Sequence, residues 1–286
     1  MESLVKEMSP LISPAELKER IKEPGLIIID AQAGSNAFET YRVKHISNAL
    51  HVDLDTELSA KTSDPAKGGR HPLPDISKFA LLLGKLGIDP SSLVVVYDNK
   101  GGVSAAARFW WMLKAAGHKK VQVLDGGLDA AILVGLPVSN EASNPSPKES
   151  YPVQEWKLPT VSLDTVKKAI ADAKYLVIDT REDFRYRGER EPLDLVAGHI
   201  PNAVNVPYIK NLGNDGFFIS SAKLADLYKS VIGDRKPEEV IVSCGSGVTA
   251  CHTLLAMEQA GISGATLYVG SYSEWSRNEL PIAKEE

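Results

Sequence analysis

The amino-acid sequence predicts an α/β protein with two similar halves, each a mainly parallel central sheet flanked by helices. Short runs of Val, Ile and Leu alternate with amphipathic stretches, as in strands joined by helical crossovers. The same series of motifs occurs twice, in the same order. A polar, proline-bearing stretch at residues 140–150 separates the two series and is typical of a linker.

The first series of motifs predicts the elements of the first half. A helix begins at Ser13–Leu17, and the later elements are separated by turn residues. In chain order these elements are a strand at Leu26–Asp30, the motif Lys44–Ala49, a helix at Ser77–Leu86, a strand at Leu93–Tyr97, a helix at Ala105–Ala116 and the turn Leu124–Gly127. The alternation predicts right-handed crossovers, with ligands at the carboxyl ends of the strands.

The second series repeats this order. Its members are Ser162–Val166, Tyr175–Asp179, Gly198–Ala203, Val240–Val242, Gly247–Ala250 and Tyr268–Ser271. Duplication followed by divergence explains the shared order better than chance. We therefore expect a catalytically inactive domain at residues 1–143, a linker at 144–160 and a catalytic domain at 161–286.

Length, charge and composition limit the classes of function. The chain has 286 residues, a formal net charge of −5 and 43% hydrophobic residues, so we expect a globular protein with no nucleic-acid partner. No apolar run approaches the ~20 residues that span a bilayer. The start Met1–Glu7 lacks the basic and apolar regions of a leader. We therefore expect a cytoplasmic protein with no membrane partner.

The two cysteines, Cys244 and Cys251, predict neither a disulfide framework nor a metal site. Cys251 lies inside a predicted helix and is interpreted as a core residue. Cys244 follows the β-branched run Val240–Val242, and Gly245 and Gly247 lie in the turn before the next helix. Such a turn directs backbone N–H groups and a helix N-terminus at the sulfur. This favours a nucleophilic thiolate over a buried, inert thiol.

The corresponding turn of the first half reads Asp98-Asn99-Lys100-Gly101 and holds no thiol. The first half is therefore expected to be structural or to contribute to a shared cleft. His71 lies in a loop rich in Gly and Pro that has no second-half counterpart, so it is a candidate for such a contribution. His45 and His199 occupy equivalent positions in the repeat, which predicts a structural role for both.

A cationic segment follows the strand at Tyr175–Asp179, on the side where the Cys244 turn is expected. Its arginines alternate with acidic residues, a pattern that is also typical of a solvated, ion-paired surface. Asp179 and Arg181 are interpreted as a pair that stabilises the fold. Arg185 is the preferred ligand for a carboxylate, because a guanidinium binds that group through paired hydrogen bonds.

The chain resembles the tandem-domain rhodanese superfamily of sulfurtransferases over nearly its whole length. The motifs that carry the resemblance are Gly198–Ala203 and its first-half copy, Phe109–Leu113, Leu124–Gly127 and the Cys244 loop. The loop Cys244–Thr249 is similar to that of members that use 3-mercaptopyruvate as sulfur donor, whereas members that use thiosulfate carry Arg and Lys directly after the cysteine. A neutral loop agrees with the first donor, because an α-keto acid needs a cation only at its carboxylate.

The resemblance implies catalytic roles for residues from both halves. Cys244 would accept the sulfur and carry it as a persulfide. A proton relay would consist of Ser246, His71 and Asp55, with Asp53 as the alternative carboxylate.

The resemblance also implies a site for the donor. Arg185 would bind the donor carboxylate, and Arg190 would take the place of the second substrate arginine that the family carries. The loop residues around the donor would be Gly245, Gly247, Val248 and Thr249.

The implied reaction has two stages and needs no metal or organic cofactor. Sulfur passes from 3-mercaptopyruvate to Cys244, and then to a thiol acceptor such as thioredoxin or glutathione, or to cyanide. Thiosulfate as donor and a non-enzymatic module that only carries the persulfide are the alternatives. A phosphatase relative is disfavoured, because Val248–Cys251 lacks the arginine that would hold a phosphoryl group.

Overall fold

The computed structural model describes residues 8–285. The start Met1–Glu7, where we expect no leader, and Glu286 lie outside the described residues. We call residues 8–139 the first half and residues 160–285 the second half. Each half contains one five-stranded sheet. Within residues 8–285, no helix is both long enough and apolar enough to cross a membrane.

The first half begins with a capped helix, because the Ser13 hydroxyl accepts the Glu16 N–H while the Glu16 carboxylate accepts the Ser13 N–H. The other predicted helices and strands also form, and their ends differ by a residue or two from the prediction. The elements are β1 (Leu11–Ile12), α1 (Pro14–Arg20), β2 (Leu26–Gln32), α2 (Ala37–Val43), β3 (His45–Ile46), β4 (Leu50–Asp53), α3 (Ile76–Lys85), β5 (Leu93–Tyr97), α4 (Ala105–Ala115), β6 (Val121–Leu124), α5 (Gly127–Leu133) and β7 (Val138–Ser139).

The second half repeats this series, except that an isolated bridge between His199 and Ala283 takes the place of the β3–β7 pair. It adds two short 3₁₀ helices, Tyr208–Asn211 and Pro237–Glu239. Its other elements are β8 (Thr160–Val161), α6 (Leu163–Ala169), β9 (Leu176–Asp179), α7 (Asp183–Arg187), β10 (Val204–Asn205), α8 (Ser221–Ile232), β11 (Val240–Ser243), α9 (Thr249–Gln259), β12 (Thr266–Tyr268) and α10 (Ser271–Trp275).

The two five-stranded sheets have the same topology. The strand order is β1-β6-β5-β2-β4 in the first half and β8-β12-β11-β9-β10 in the second half. Every neighbouring pair in these two sheets is parallel. An antiparallel pair, β3 and β7, forms a separate small sheet in the first half. The expected α/β fold with two mainly parallel sheets is therefore confirmed.

The two repeat histidines have the same structural role. His45 stacks on Tyr41 with ring centroids 3.8 Å apart, and His199 stacks on Tyr186 at 3.7 Å. In both cases the Nδ1 atom lies within 2.8 Å of the carbonyl oxygen of the stacked tyrosine. Neither ring lines the cavity at Cys244, so the structural interpretation of this pair is confirmed.

The two halves share one hydrophobic core. Helix α4 of the first half packs against helix α9 of the second half. One continuous cluster of buried side chains includes Trp110 and Trp111 from α4 and Leu255 and Met257 from α9. This packing brings the carboxyl ends of both sheets to a common cleft, where parallel sheets usually bind ligands.

Candidate active site

A cavity of about 420 Å³ lies between the two halves at the carboxyl ends of their strands. Cys244 follows β11, Asp55 follows β4, and Ala33 and Gly34 follow β2. The predicted site residues that line it are Asp55, His71, Arg185, Cys244, Gly245, Ser246, Val248 and Thr249. A second cavity of about 240 Å³ also reaches Cys244 and is lined in part by Thr180 and Tyr208.

The segment that follows β12 supports the Cys244 loop through hydrogen bonds. The backbone N–H of Cys244 donates to the Ser271 hydroxyl at 3.1 Å, and the Cys244 carbonyl accepts the Tyr272 N–H at 2.9 Å. The N–H of Gly247 donates to Cys244 Sγ at 3.2 Å. This N–H therefore lies where it can stabilise negative charge that develops on the sulfur.

Gly247 is required by the shape of the loop. Its φ is +73°, and a Cβ atom at this position would lie 2.4 Å from the Val269 carbonyl oxygen. A side chain would therefore push the loop away from its support and move the N–H that contacts the sulfur. Gly247 thus shapes the site rather than lining it.

Asp98 is the first-half counterpart of Cys244 and follows the equivalent strand, β5. Its carboxylate accepts the backbone N–H groups of the turn and of the helix start that follow it. The donors are Lys100 at 2.9 Å, Gly102 at 2.7 Å, Ser104 at 3.0 Å and Ala106 at 3.2 Å. The turn in the first half is therefore an anion site that its own side chain occupies.

The structure brings together the three residues of the predicted relay. Nδ1 of His71 lies 2.7 Å from the Ser246 hydroxyl, and Nε2 of His71 lies 3.1 Å from Asp55 Oδ1. Asp55 also accepts the Gly34 N–H at 3.1 Å. Asp53, the alternative carboxylate, instead accepts the backbone and hydroxyl groups of Thr56. The Ser246–His71–Asp55 chain thus joins residues of both halves.

The loop that carries His71 is docked on the second half. Gly69 has a φ of +79°, and a Cβ atom there would lie 2.4 Å from the Gly270 carbonyl oxygen. The neighbouring N–H groups donate across the interface, Gly68 to Glu274 Oε1 at 2.7 Å and Arg70 to the Ser273 hydroxyl at 3.1 Å. Glycine is needed here because the two backbones touch.

His71 is held in its neutral form by its surroundings. Burial lowers its pKa, and the nearby charge of Arg70 lowers the pKa further, whereas Asp55 raises it. The lowering effects outweigh the effect of Asp55. A neutral imidazole beside a serine hydroxyl can accept and return a proton at neutral pH.

Arg185 lies at the wall of the cavity with its guanidinium surrounded by carboxylates. Its Nε donates to Glu191 at 3.0 Å, and its Nη2 donates to Asp194 Oδ2 at 3.1 Å. Arg181 does not line the larger cavity. It forms a buried ion pair with Asp179, with an Nη2–Oδ2 distance of 2.6 Å. Arg181 also lines the second, smaller cavity that reaches Cys244, so the structural role of this pair stays a prediction.

Arg190 does not join Arg185 at either cavity around Cys244. Its side chain is exposed, and its guanidinium carbon lies 4.7 Å from the ring centroid of Phe184. The short segment after α7 turns away from the cleft at this point. The structure thus separates these two predicted substrate ligands.

A family profile for the rhodanese-like domain matches residues 13–132 and, a second time, residues 162–278. The chain belongs to the rhodanese-like family. The two matched ranges coincide with the two parallel sheets, so each sheet is the centre of one rhodanese-like domain.

The relatives described next match most of this chain and carry sulfurtransferase names. The chain is 37% identical to the probable 3-mercaptopyruvate sulfurtransferase of Pseudomonas aeruginosa, over 93% of this chain and 94% of the relative. It is 34% identical to thiosulfate/3-mercaptopyruvate sulfurtransferase 1, mitochondrial, of Arabidopsis thaliana, over 99% of this chain and 80% of the relative. The crystal structure of SseA from Escherichia coli, a 3-mercaptopyruvate sulfurtransferase by its description, matches with a TM-score of 0.78 and 31% identity. That match covers 93% of this chain and all of SseA. The rhodanese-like chain therefore groups with transferase enzymes.

Several residues of this rhodanese-like site were not predicted from the sequence, and four of them are polar residues with a clear place in it. Arg70 and Lys100 line the cavity from the first half, Ser271 supports the nucleophile loop, and Arg108 lies beneath that loop. The repeat gives a signal for Ser271, because it ends the motif that corresponds to Leu124–Gly127. Arg108 is the one charged residue among the largely apolar residues at the start of α4, which marks it as unusual.

Proposed function

We propose that the protein transfers sulfur from 3-mercaptopyruvate to a thiol acceptor through a persulfide on Cys244. The observation that carries this proposal is the hydrogen-bonded chain Ser246–His71–Asp55, which begins two residues after the nucleophile and lines the same cavity. When Cys244 attacks the donor sulfur, the carbon that leaves must receive a proton. Ser246, His71 and Asp55 form a hydrogen-bonded series that can move that proton.

The first stage forms an S–S bond and breaks a C–S bond. The Cys244 thiolate attacks the sulfur of 3-mercaptopyruvate, and the electron pair of the C–S bond passes to carbon to give the enolate of pyruvate. Ser246 and His71 accept the proton of the donor thiol and return it to that carbon. Pyruvate leaves, and Cys244 holds the sulfur as a persulfide anion, so no outside oxidant or proton is needed.

The second stage returns the nucleophile. A thiolate acceptor attacks the outer sulfur of the persulfide, the S–S bond breaks, and the electron pair remains on Cys244 Sγ as thiolate. The Gly247 N–H, 3.2 Å from this sulfur, stabilises the charge when Cys244 acts as leaving group. A thiol such as thioredoxin or glutathione, or cyanide in an assay, is the acceptor in this scheme. Neither stage uses a metal or an organic cofactor.

Thiosulfate is the second candidate donor, and the charges around the cavity favour it. Although the loop after Cys244 is neutral, Arg70, Lys100 and Arg185 reach the same cavity from other parts of the chain. Glu191 and Asp194 offset part of this positive charge, but the cluster still suits a compact dianion. In that case the thiolate of Cys244 takes the outer sulfur and sulfite leaves with the electron pair of the S–S bond.

The deciding experiment is the ratio of kcat/KM for the two donors with cyanide as common acceptor. It is measured for the wild type and for Cys244→Ser, together with the release of pyruvate or sulfite in a single turnover without acceptor. We expect one equivalent of pyruvate, a preference for 3-mercaptopyruvate, and loss of both in Cys244→Ser.

The other outcomes are equally informative. A preference for thiosulfate would keep the persulfide and overturn the donor. Single-turnover release without steady-state turnover would identify a carrier of persulfide instead of an enzyme. Turnover retained in Cys244→Ser would remove the nucleophile assignment.

The compartment and the domain limits stay predictions. We propose a cytoplasmic enzyme, although one relative is mitochondrial by name. We also propose an inactive domain at residues 1–143, a linker at 144–160 and a catalytic domain at 161–286. Expression of residues 161–286 alone tests the division, because this fragment would keep Cys244 but lack His71 and Asp55, and should not release pyruvate.

A further inference from the structure

Two cavities reach Cys244, and the smaller one lacks the residues of the proton relay. Ser246, His71 and Asp55 line the larger cavity. The smaller cavity, of about 240 Å³, contacts Cys244 without any of these three residues. The first stage of the proposed reaction must protonate carbon, whereas the second stage moves sulfur between two sulfur atoms and needs no such group. The smaller cavity therefore suits the second stage.

Two side chains of opposite charge line the smaller cavity, Lys100 from the first half and Glu182 from the second half. The Lys100 backbone N–H donates to Asp98 Oδ1 at 2.9 Å, but within residues 8–285 its ammonium group has no partner. Within the same residues, the Glu182 carboxylate contacts only Arg185, through Oε2 at 3.4 Å. The cavity thus offers an unpaired ammonium group and a carboxylate with one unengaged oxygen.

The arginines of the smaller cavity are already paired inside the protein. Arg181 forms an ion pair with Asp179 at 2.6 Å, and Arg185 forms one with Glu191 at 2.8 Å. These carboxylates offset the charge of both guanidiniums. Among the residues that line this cavity, Lys100 is therefore the cation that is left for a ligand.

Two hydroxyl groups add polar contacts to the same cavity. Thr180 is fully buried, and within residues 8–285 its hydroxyl oxygen has no hydrogen-bond partner. A buried hydroxyl without a partner costs free energy, which a ligand can recover by binding to it. Tyr208 also lines the cavity, and burial followed by the charge of Glu182 raises its pKa. The Tyr208 phenol therefore stays protonated and can donate a hydrogen bond.

The volume of the smaller cavity limits the size of its ligand. About 240 Å³ is below the range of roughly 300–1,000 Å³ that is typical of sites for drug-sized ligands. A molecule the size of one amino acid is below that range too. Its ammonium group would match Glu182, its carboxylate would match Lys100, and a thiol between them would point to Cys244.

We propose that the smaller cavity is the acceptor site and takes a small amino-acid thiol, with Lys100 and Glu182 as the ligands of its two charges. This inference rests on the proposed function, because it names the acceptor class for the Cys244 persulfide. The acceptor loses its thiol proton to water, and its thiolate forms an S–S bond to the outer sulfur. The S–S bond to Cys244 breaks, and its electron pair stays on Cys244 Sγ. The acceptor leaves as a persulfide, and no oxidant is consumed.

A series of small thiols tests the two charge contacts separately. Free cysteine carries both charges, 3-mercaptopropionate carries only the carboxylate, cysteamine carries only the ammonium group, and 2-mercaptoethanol carries neither. Protein loaded with persulfide is separated from the donor and mixed with each thiol. The rate of discharge is measured for the wild type, Lys100→Gln and Glu182→Gln. Each variant is compared with the wild type for the same thiol, which removes the intrinsic reactivity of that thiol.

We expect a crossed pattern relative to 2-mercaptoethanol. Lys100→Gln should slow discharge to cysteine and to 3-mercaptopropionate about 3- to 10-fold, the loss of a partly exposed charge-assisted contact, without slowing discharge to cysteamine. Glu182→Gln should slow discharge to cysteine and to cysteamine by a similar factor, without slowing discharge to 3-mercaptopropionate. Equal effects on all four thiols, or an unchanged rate with cysteine, would overturn the proposal.

Lys119→Gln and Glu189→Gln are the matched controls. Both positions are exposed, and neither lines either cavity at Cys244. They make the same changes of net charge, so the rates with all four thiols should keep their wild-type ratios. The crossed pattern in the controls as well would assign it to net charge and overturn the two contacts.

Val103 tests the route, because it lines the smaller cavity and not the larger one. Val103→Trp narrows the smaller cavity and should slow discharge to cysteine more than it slows pyruvate release in the first stage. The reverse order would overturn this route for the acceptor.

Binding without sulfur transfer separates this inference from the proposed function. S-methylcysteine has both charges and no free thiol, and its dissociation constant is measured for Cys244→Ser and for Cys244→Ser with Lys100→Gln. We expect the second constant to be about 3- to 10-fold higher. That result would support the site even if no donor loads Cys244. Equal constants beside normal sulfur transfer would overturn the site and leave the proposed function intact.

Discussion

Arg108 of the first half donates a hydrogen bond from Nη1 to the carbonyl oxygen of Gly247 in the second half, at 3.0 Å. The Arg108 side chain is fully buried, and within residues 8–285 no carboxylate pairs with it. Its Nη2 donates to the His71 carbonyl at 2.9 Å. A single guanidinium therefore fixes the Cys244 loop relative to the His71 loop.

Replacement of Arg108 by Met should slow the first stage. Loss of hydrogen bonds from a charged group lowers the free energy of unfolding by about 2 kcal/mol, and a displacement of His71 from the Cys244 loop by about 1 Å costs up to about 100-fold in rate. Single-turnover pyruvate release and urea unfolding measure the two effects. Lys114→Met is the control, because Lys114 pairs with Glu258 across the same interface at 2.6 Å, away from the cavity. A wild-type rate in Arg108→Met would contradict the role of this contact.

The pH dependence of the first stage should report His71. Since burial and Arg70 lower the pKa of His71, its neutral form persists below the usual value of about 6.5, and the rate should fall only in more acidic solution. Asp55 raises that pKa, so Asp55→Asn should move the acid limb to still lower pH while it reduces the rate at every pH. Single-turnover rates across the acid range test this. An acid limb that moves upward in Asp55→Asn would show that another group titrates.

Asp98 should matter for stability, because it accepts four backbone N–H groups of its own turn and helix start. Asp98→Asn keeps the shape but turns an amide N–H₂ toward donors, and it should lower the free energy of unfolding by about 1–3 kcal/mol. Denaturant unfolding of Asp98→Asn measures the loss. Asp129→Asn, at an exposed position of α5, removes the same charge and should have little effect. Equal stability of the two variants would exclude this role of Asp98.

Because the carboxyl group of Asp30 is buried, we expect the free energy of unfolding to depend on pH. Burial raises its pKa to about 6, although Tyr97 and Gln32 donate hydrogen bonds to it. The folded protein therefore binds a proton that the unfolded chain has lost between about pH 4 and 6, and stability falls as the pH rises through that window. Ionisation costs roughly 1.4 kcal/mol per pKa unit, about 3 kcal/mol in all. Asp30→Asn should gain stability relative to the wild type from pH 4 to 7, and a constant difference over that range would disprove the assignment.

The second half explains why Asp30 is unusual. Its counterpart Asp179 pairs with Arg181 two residues later, whereas Gln32 stands two residues after Asp30. The same repeat position thus holds an ion pair in one half and a carboxylate with neutral partners in the other. The sequence repeat indicated that Asp30 and Asp179 occupy equivalent positions. Because both are buried, the presence or absence of a paired arginine changes the cost of ionising each carboxyl group.

The fold was predictable because its signals are local. Strand, turn and helix follow one another around Cys244, and the repeat presents each element twice, so the parallel sheets and the nucleophile loop follow from the order of motifs. The residues that this loop contacts in the first half are distant from it in sequence, so no local signal predicts them. His71 and Ser246 are 175 residues apart in the chain, and no spacing within either half predicts their contact. Family resemblance supplied that pair, and docking of the Gly69 loop explains it.

The second cation of the cavity could not be predicted from its place in the chain. The family resemblance implied a second substrate arginine shortly after Arg185, and Arg190 was the expected residue for that reason. Helix α7 ends at Arg187, however, and the following residues carry Arg190 over Phe184 instead of into the cleft. Arg70 reaches the cavity because its loop has crossed to the other half, which only the packing of the two halves determines.

The carboxylate of Asp98 shows that the two halves have kept the same backbone turn after different residues. The two copies share a backbone cradle at the end of a central strand, and in each copy that cradle contacts the side chain of its first residue. In the first half the Asp98 carboxylate accepts these N–H groups, and in the second half the Cys244 sulfur accepts one of them. The first half can keep the shape of this turn without a thiol, because its own carboxylate satisfies the N–H groups. The same half supplies the His71 loop to the cavity at Cys244, so a half without a thiol still contributes side chains to that cavity.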